Sequence, residues 1–248
     1  MKIIVKALVI IMFVIIGYSF TDIRKSDCQY VYMVKKLSKP LTIDGNWDKS
    51  QWKKVKAVEI KNFLGKIPAI RPRAKVKMMY DEQYLYLIFR VHEPYIKCVE
   101  QNYNGRVWED ACVEFFFSPD TNKNNSYFNL EINCCGIPLM HYNKVPRKDF
   151  REVEITDLKE IEIAHSLPQK IDEEIIKPVT WTIEYKIPLS MLQKYSNVTH
   201  PGSGSYWRAN FYKIAENGAN PHWISWSSIN SDKIDFHLPQ FFGILKFQ

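Results

Sequence analysis

The sequence predicts an all-β protein: a two-sheet antiparallel β-sandwich of jelly-roll type with at most short helical turns. Apolar residues recur with period two in many short runs, and turn residues separate those runs. No stretch longer than about ten residues keeps the helical period. The size agrees, since 248 residues without a fixed-period repeat suit one all-β core. With 46% hydrophobic and 25% charged residues, a disordered, collagenous or coiled-coil chain is excluded. The net charge of +7 is spread along the chain rather than gathered in a stripe, so nucleic acid is not an expected partner.

The first element is an address. Lys2 and Lys6 precede an apolar run from Ala7 to Ile16, and Gly17 and Ser19 supply small residues for cleavage, so residues 1–19 read as a signal peptide. The run is shorter than the ~20 residues of a membrane span, so no span is expected after cleavage. The expected location is periplasmic, cell-surface or secreted. Residues 20–29 form a linker and 30–248 the folded domain. Cys28 follows Lys25, Ser26 and Asp27, a poor setting for lipidation. The other cysteines, Cys98, Cys112, Cys134 and Cys135, show no zinc spacing; they read as core fillers with at most one or two disulfides, pairing undetermined.

Strands follow in order. Ala74, Val76, Met78 and Tyr80, then an Asp81–Gln83 turn, then Leu85, Leu87, Phe89 and Val91, predict a β-hairpin. Alternation returns at Val113–Phe117, Phe128–Ile132, Trp181–Ile187 and Trp207–Phe211, with helical turns expected at Asn46–Trp52 and Pro188–Tyr195. It also assigns faces. Opposite the core lie Glu114 in one strand, Tyr127, Asn129, Glu131 and Asn133 in the next, and Arg208, Asn210 and Tyr212 in a third. If those strands are neighbours, one face carries carboxylates, amides and an arginine, chemistry suited to sugar hydroxyls; otherwise it is a solvated face.

Several motifs in order resemble the family 9 carbohydrate-binding modules within the wider DOMON-like sandwich group. They are Leu41-Thr42-Ile43-Asp44-Gly45 with Trp47 and Trp52, Tyr80-Asp81 with Tyr84-Leu85-Tyr86, and Trp108 to Phe116 around Asp110, Val113 and Glu114. Trp181 to Pro188, Ser225-Trp226-Ser227 and Phe242 to Leu245 complete the set. The resemblance implies a sugar gripped between two aromatic rings and fixed by a carboxylate, amides and a basic residue. Trp108 matches the first aromatic, Phe236 falls at the second, and Glu114 matches the carboxylate. Glu131 stands where the family pattern has a basic residue, and Asn133 is retained in kind. Arg208 or Lys213 is then the candidate donor, with Asn210 a further hydroxyl partner. The ligand expected is a mono- or oligosaccharide or a polysaccharide end, bound without catalysis in support of polysaccharide breakdown by partner glycoside hydrolases. No cofactor is assigned with certainty. A structural calcium is plausible because related modules use one, at the oxygen-rich stretches 120–125 or 230–235, but no ligands are assigned.

Three other functions compete. A glycoside hydrolase would use Glu109, Asp110 and Glu114, but Asp110 and Glu114 lie about 14 Å apart in an ideal strand, beyond the ~5 to 9.5 Å such mechanisms use. A haem-binding DOMON-like domain would draw on His92, His141, His165, His222, His237, Met78 or Met79, without an attachment motif. A decayed or protein-binding sandwich is suggested by the acid at Glu131, and a gap between Trp108 and Phe236 plugged by their own loops would favour it.

Overall fold

The computed structural model describes residues 30–122 and 125–248; the predicted signal peptide, the linker and Cys28 lie outside the described residues. In chain order the strands are β1 (Val31–Lys36), β2 (Val58–Ile60), β3 (Asn62–Leu64), β4 (Arg73–Tyr80), β5 (Tyr84–Glu93), β6 (Ile96–Cys98), β7 (Cys112–Ser118) and β8 (Tyr127–Asn133). There follow β9 (Pro138–Val145), β10 (Asp149–Glu152), β11 (Glu162–His165), β12 (Ile171–Ile175), β13 (Val179–Pro188), β14 (Tyr206–Ala215), β15 (His222–Ser225) and β16 (Gly243–Phe247). Helix is confined to α1 (Ser50–Lys53), α2 (Ile155–Leu158), α3 (Leu189–Gln193) and 3-10 turns at Val107–Glu109 and Pro239–Phe241 among the described residues.

The strands form the expected sandwich. One face is β10-β9-β8-β7-β14-β16-β1 and the other β1-β4-β5-β13-β11, with β15 and β3 extending the first beside β14. β1 belongs to both because it crosses between them: Val31–Val34 pair with β16, then Lys35–Lys36 with β4. Both of its pairings are parallel, within sheets whose other pairings are antiparallel among the described residues. The predicted hairpin has the predicted register, with Ala74 opposite Val91, Val76 opposite Phe89 and Met78 opposite Leu87. Their side chains, with Trp52, Trp181, Trp207, Phe115, Phe117 and Phe211, fill the space between the sheets. Phe211 stacks on Phe115 at 5.2 Å and meets Phe89 of the facing sheet edge-on at 6.2 Å.

Two conspicuous motifs turn out to be anchors for this core. Buried Glu184 on β13 accepts the amide hydrogens of Asp44 and Gly45 at 2.8 and 2.7 Å, the Trp52 indole N–H at 2.7 Å and the Lys49 ammonium. Gly45 has φ +77°, where a Cβ would be strained. In the second motif Asp81 caps its turn, accepting from the amides of Gln83 and Tyr84 and from the Tyr86 hydroxyl. Gly243 permits close approach, because a Cβ there would lie 2.8 Å from the Trp226 ring.

Cys98 and Cys135 are joined by a disulfide with Cα atoms 6.3 Å apart, while Cys112 and Cys134 are buried free thiols. No described helix is long and apolar enough to cross a membrane.

Candidate functional site

β8, β7 and β14 are neighbours, so the condition for a shared functional face is met. Glu114 lies directly opposite Glu131 on one side and Tyr212 on the other, and Phe116 lies between Asn129 and Asn210. This face is not solvated. A second apolar cluster of Cys112, Phe116, Tyr127, Leu139, Tyr212, Phe236 and Phe242, with Trp108 and Trp223 packed against it, covers part of it. What the cover leaves is a pocket of about 440 Å³.

Its floor is β7, β8 and β9: Glu114, Glu131 and Leu139 in one cross-strand row, and Phe116, Asn129 and His141 in the next. Its walls come from outside those strands. Trp108 stands on the 3-10 turn before β7, Trp223 on β15, and Ile234 to His237 on the long segment before β16. Arg147 and Phe150 reach in from the β9–β10 hairpin, where Arg147 holds a left-handed φ of +60°; Phe150 is 52% exposed at the rim.

The polar groups form an ordered network. Asn143 Nδ2 donates to Asn129 Oδ1 at 2.7 Å, and Asn129 Nδ2 donates to Glu131 Oε1 at 2.9 Å. Arg147 is held by Asp235 at 2.7 Å, Trp223 Nε1 donates to Glu216 at 3.1 Å, and the Tyr127 hydroxyl meets His237 Nδ1 at 2.7 Å. Glu114 Oε2 is buried with no hydrogen-bond partner in the protein.

Two carboxyls 2% and 5% exposed, on adjacent strands, cannot both ionise freely. Burial, then repulsion from Glu131 and Glu216, pushes Glu114 well above the usual carboxyl range, with Lys213 and Arg147 opposing. Burial raises Glu131 to about 7, moderated by the Asn129 hydrogen bond and by Arg147. Burial also lowers His141, and lowers His237 to about 3 with help from Arg147, so both rings are neutral at physiological pH.

Of the residues singled out in the sequence, the pocket brings together Trp108, Glu114, Glu131 and Phe236. Phe236 spends one ring face on Tyr212, stacked at 4.1 Å. Trp108 and Phe236 both line the pocket, Phe236 at only 6% exposure. Asn133, Asn210 and Arg208 do not line the pocket. Asn133 donates to Asp110 and Glu100 and accepts from the Ile137 amide, and Asn210 is closed on Phe211 and Ser227. Arg208 donates to the Pro239 carbonyl at 2.6 Å. Lys213 points the other way, into the sandwich, 3.1 Å from Glu93 and beside His222. Asp110 is buried and bound to the amides of Val99 and Glu100, away from the pocket. Of the haem candidates, Met78 and Met79 are core, His92 bonds across strands to Thr180, His165 bonds to the Leu167 carbonyl, and His141 and His237 line the pocket.

Trp223, Arg147, Phe150, Glu216 and Asp235 were not legible as site residues. The available signal was weak: an isolated Trp two residues after a Pro, and a hairpin with a Pro-Arg turn.

A larger groove of about 650 Å³ is lined by Lys61, Arg71, Arg73, Lys75 and Arg90. It has neither the pocket's tryptophan walls nor a buried side chain left without a partner. For a cation, Ser118 Oγ, Asp120 Oδ2 and Ser126 Oγ are buried without hydrogen-bond partners around the β7–β8 turn. They are hard oxygen donors of the kind calcium takes. In the other oxygen-rich stretch Asp235 is occupied by Arg147 and the His237 amide.

The family model for carbohydrate-binding family 9 matches residues 42–247. The chain belongs to that family. Among solved structures, this family 9 chain is similar to a putative carbohydrate-binding protein from Bacteroides uniformis, at 28% identity over 89% of this chain and 100% of that one, TM-score 0.79. Two family 9 module structures from Caldicellulosiruptor kristjanssonii share the fold. The one in complex with cellotriose has 16% identity over 88% and 94% of the chains, TM-score 0.60; the one with glucose has 15% over 88% and 96%, TM-score 0.58. No curated protein matches the family 9 chain.

Proposed function

We propose that the pocket binds a saccharide non-covalently, with Trp108 and Trp223 offering indole surface to the C–H faces of the sugar and the Glu114 carboxyl hydrogen-bonding its hydroxyls. The observation that carries this is Glu114 Oε2, a buried carboxyl oxygen without a protein partner on the floor of an aromatic-walled pocket. Buried polar atoms in native proteins are almost always satisfied, and a ligand hydroxyl meets that need. Family membership and the sugar complexes of the Caldicellulosiruptor modules support the same reading. The pocket volume suits one or two sugar rings, hence a chain end or a short oligosaccharide.

We read the site as non-catalytic. The reading follows from membership of a carbohydrate-binding family, with any polysaccharide breakdown left to partner enzymes. The amino-terminal pattern supports export, and Ser118, Asp120 and Ser126 would supply part of the oxygen shell of a structural calcium.

Titration of tryptophan fluorescence against mono- and oligosaccharides tests the reading. A saturable change for at least one sugar, weakened at least about tenfold in Trp108→Ala, is expected from the loss of one stacking face. Absence of saturable binding across the panel refutes it.

A further inference from the structure

The pocket is rich in acceptors and poor in donors. Four carboxyl groups, Glu114, Glu131, Glu216 and Asp235, line it against one guanidinium, Arg147. Several of its donors are already committed: one Arg147 nitrogen to Asp235, the Trp223 indole to Glu216, and the Asn129 amide to Glu131. Glu114 Oε2 has no donor at all and is buried beside the facing acid Glu131. A neutral hexose would bring hydroxyls that both donate and accept, and would leave the two facing buried acids able to coexist only with a proton held on at least one of them. A group with several N–H donors and a positive charge answers both conditions. It supplies charge-assisted hydrogen bonds and its charge lets both acids ionise side by side.

We propose that the saccharide selected by this pocket carries a free amine, as in a hexosamine unit whose nitrogen is not acetylated, with the ammonium seated between Glu114 and Glu131. This rests on the reading of the pocket as a sugar site and specifies its substrate class. A bare metal ion fits less well. Among the described residues no three of the pocket's carboxylates and histidines bring ligand atoms within 4.8 Å of one another, whereas a hard cation such as calcium takes six to eight oxygens. The aromatic walls are also of no use to an ion.

The test is calorimetric titration of the purified protein with glucosamine and galactosamine, their N-acetyl derivatives and the parent hexoses, in a buffer that keeps the amine protonated. Chitosan and chitin oligosaccharides extend the comparison, and calcium chloride alone is a control. At least one amine is expected to bind about tenfold or more tightly than both its N-acetyl and its hydroxyl counterpart, the scale of one charge-assisted hydrogen bond. In Glu131→Gln, that ratio is expected to fall toward one; the ratio, not either affinity, is the readout. The comparison among ligands on the unaltered protein stands even if the variant does not fold. A hexose or N-acetyl sugar that binds as well as every amine overturns the amine inference and leaves the sugar site standing. Calcium occupying the pocket with no amine preference also overturns it. If no saccharide of any class binds, the sugar reading itself fails and this inference with it.

Discussion

Replacing Glu131 by Gln should make the ligand-free protein more stable at neutral and alkaline pH and leave it nearly unchanged in acid. The folded state holds the Glu131 proton up to about 7, against an ordinary 4.5, because burial penalises the charge. Between those values the folded protein binds more protons than the unfolded chain, so stability falls as pH rises through the window. At 1.36 kcal/mol per pH unit the ionised side chain costs on the order of 3 kcal/mol above the window and nothing below it. Glu114 is raised in the same direction, partly by Glu131, so the variant also relieves its neighbour. A Gln carbonyl can still accept from Asn129, which limits the loss of hydrogen bonding. The assay is urea unfolding of both proteins at a series of pH values from about 4 to about 8, read as the stability difference at each. His141, His222 and His237 have lowered values and remove stability as pH falls below the ordinary histidine range, but they do so in both proteins and largely cancel in the difference. A difference that climbs by about 3 kcal/mol across the window fits the reasoning. A flat difference refutes it and means that the acids are solvated or paired.

Other outcomes follow from the same structure. Lys213→Met leaves Glu93 buried without its cation and should destabilise by about 3–5 kcal/mol in chemical unfolding, while the double variant with Glu93→Gln should recover a large part; an unaffected single variant would contradict the buried pair. Trp223→Ala should weaken sugar binding about tenfold, measured by calorimetry, since it removes an aromatic wall and frees Glu216; unchanged affinity would remove Trp223 from the site. Saturating calcium should raise Tm by several degrees, on the order of 2–4 °C per kcal/mol of binding for a domain of this size. That rise should vanish in Asp120→Asn, and a shift that survives the substitution would place the ion elsewhere.

Period-two alternation made much of the fold legible, because one strand's face assignment constrains its neighbours. The hairpin of β4 and β5 has the expected register, and the strands bearing Glu114, Glu131 and Tyr212 are adjacent. Alternation says which side chains share a face but not what lies over it. Asn133 and Asn210 therefore looked like ligand groups, whereas they satisfy loop and turn backbone at the margins of the pocket. Lys213 follows Tyr212 by one residue, so alternation alone sends it to the opposite face, where it meets Glu93. The walls were illegible for a different reason. Arg147, Phe150, Trp223 and Asp235 come from a hairpin, a short edge strand and a loop, whose paths depend on long-range packing rather than local pattern. The disulfide between Cys98 and Cys135 likewise joins β6 to the turn after β8, a proximity set by tertiary structure.

The most direct test of the central claim is a crystal structure of the protein with the tightest-binding saccharide of the panel. A sugar ring is expected in the pocket beside Trp108 and Trp223, with one of its polar groups within hydrogen-bond distance of Glu114 Oε2. A ring seated instead in the basic groove of Arg71, Arg73 and Arg90, with the Glu114 pocket holding only water, would contradict it.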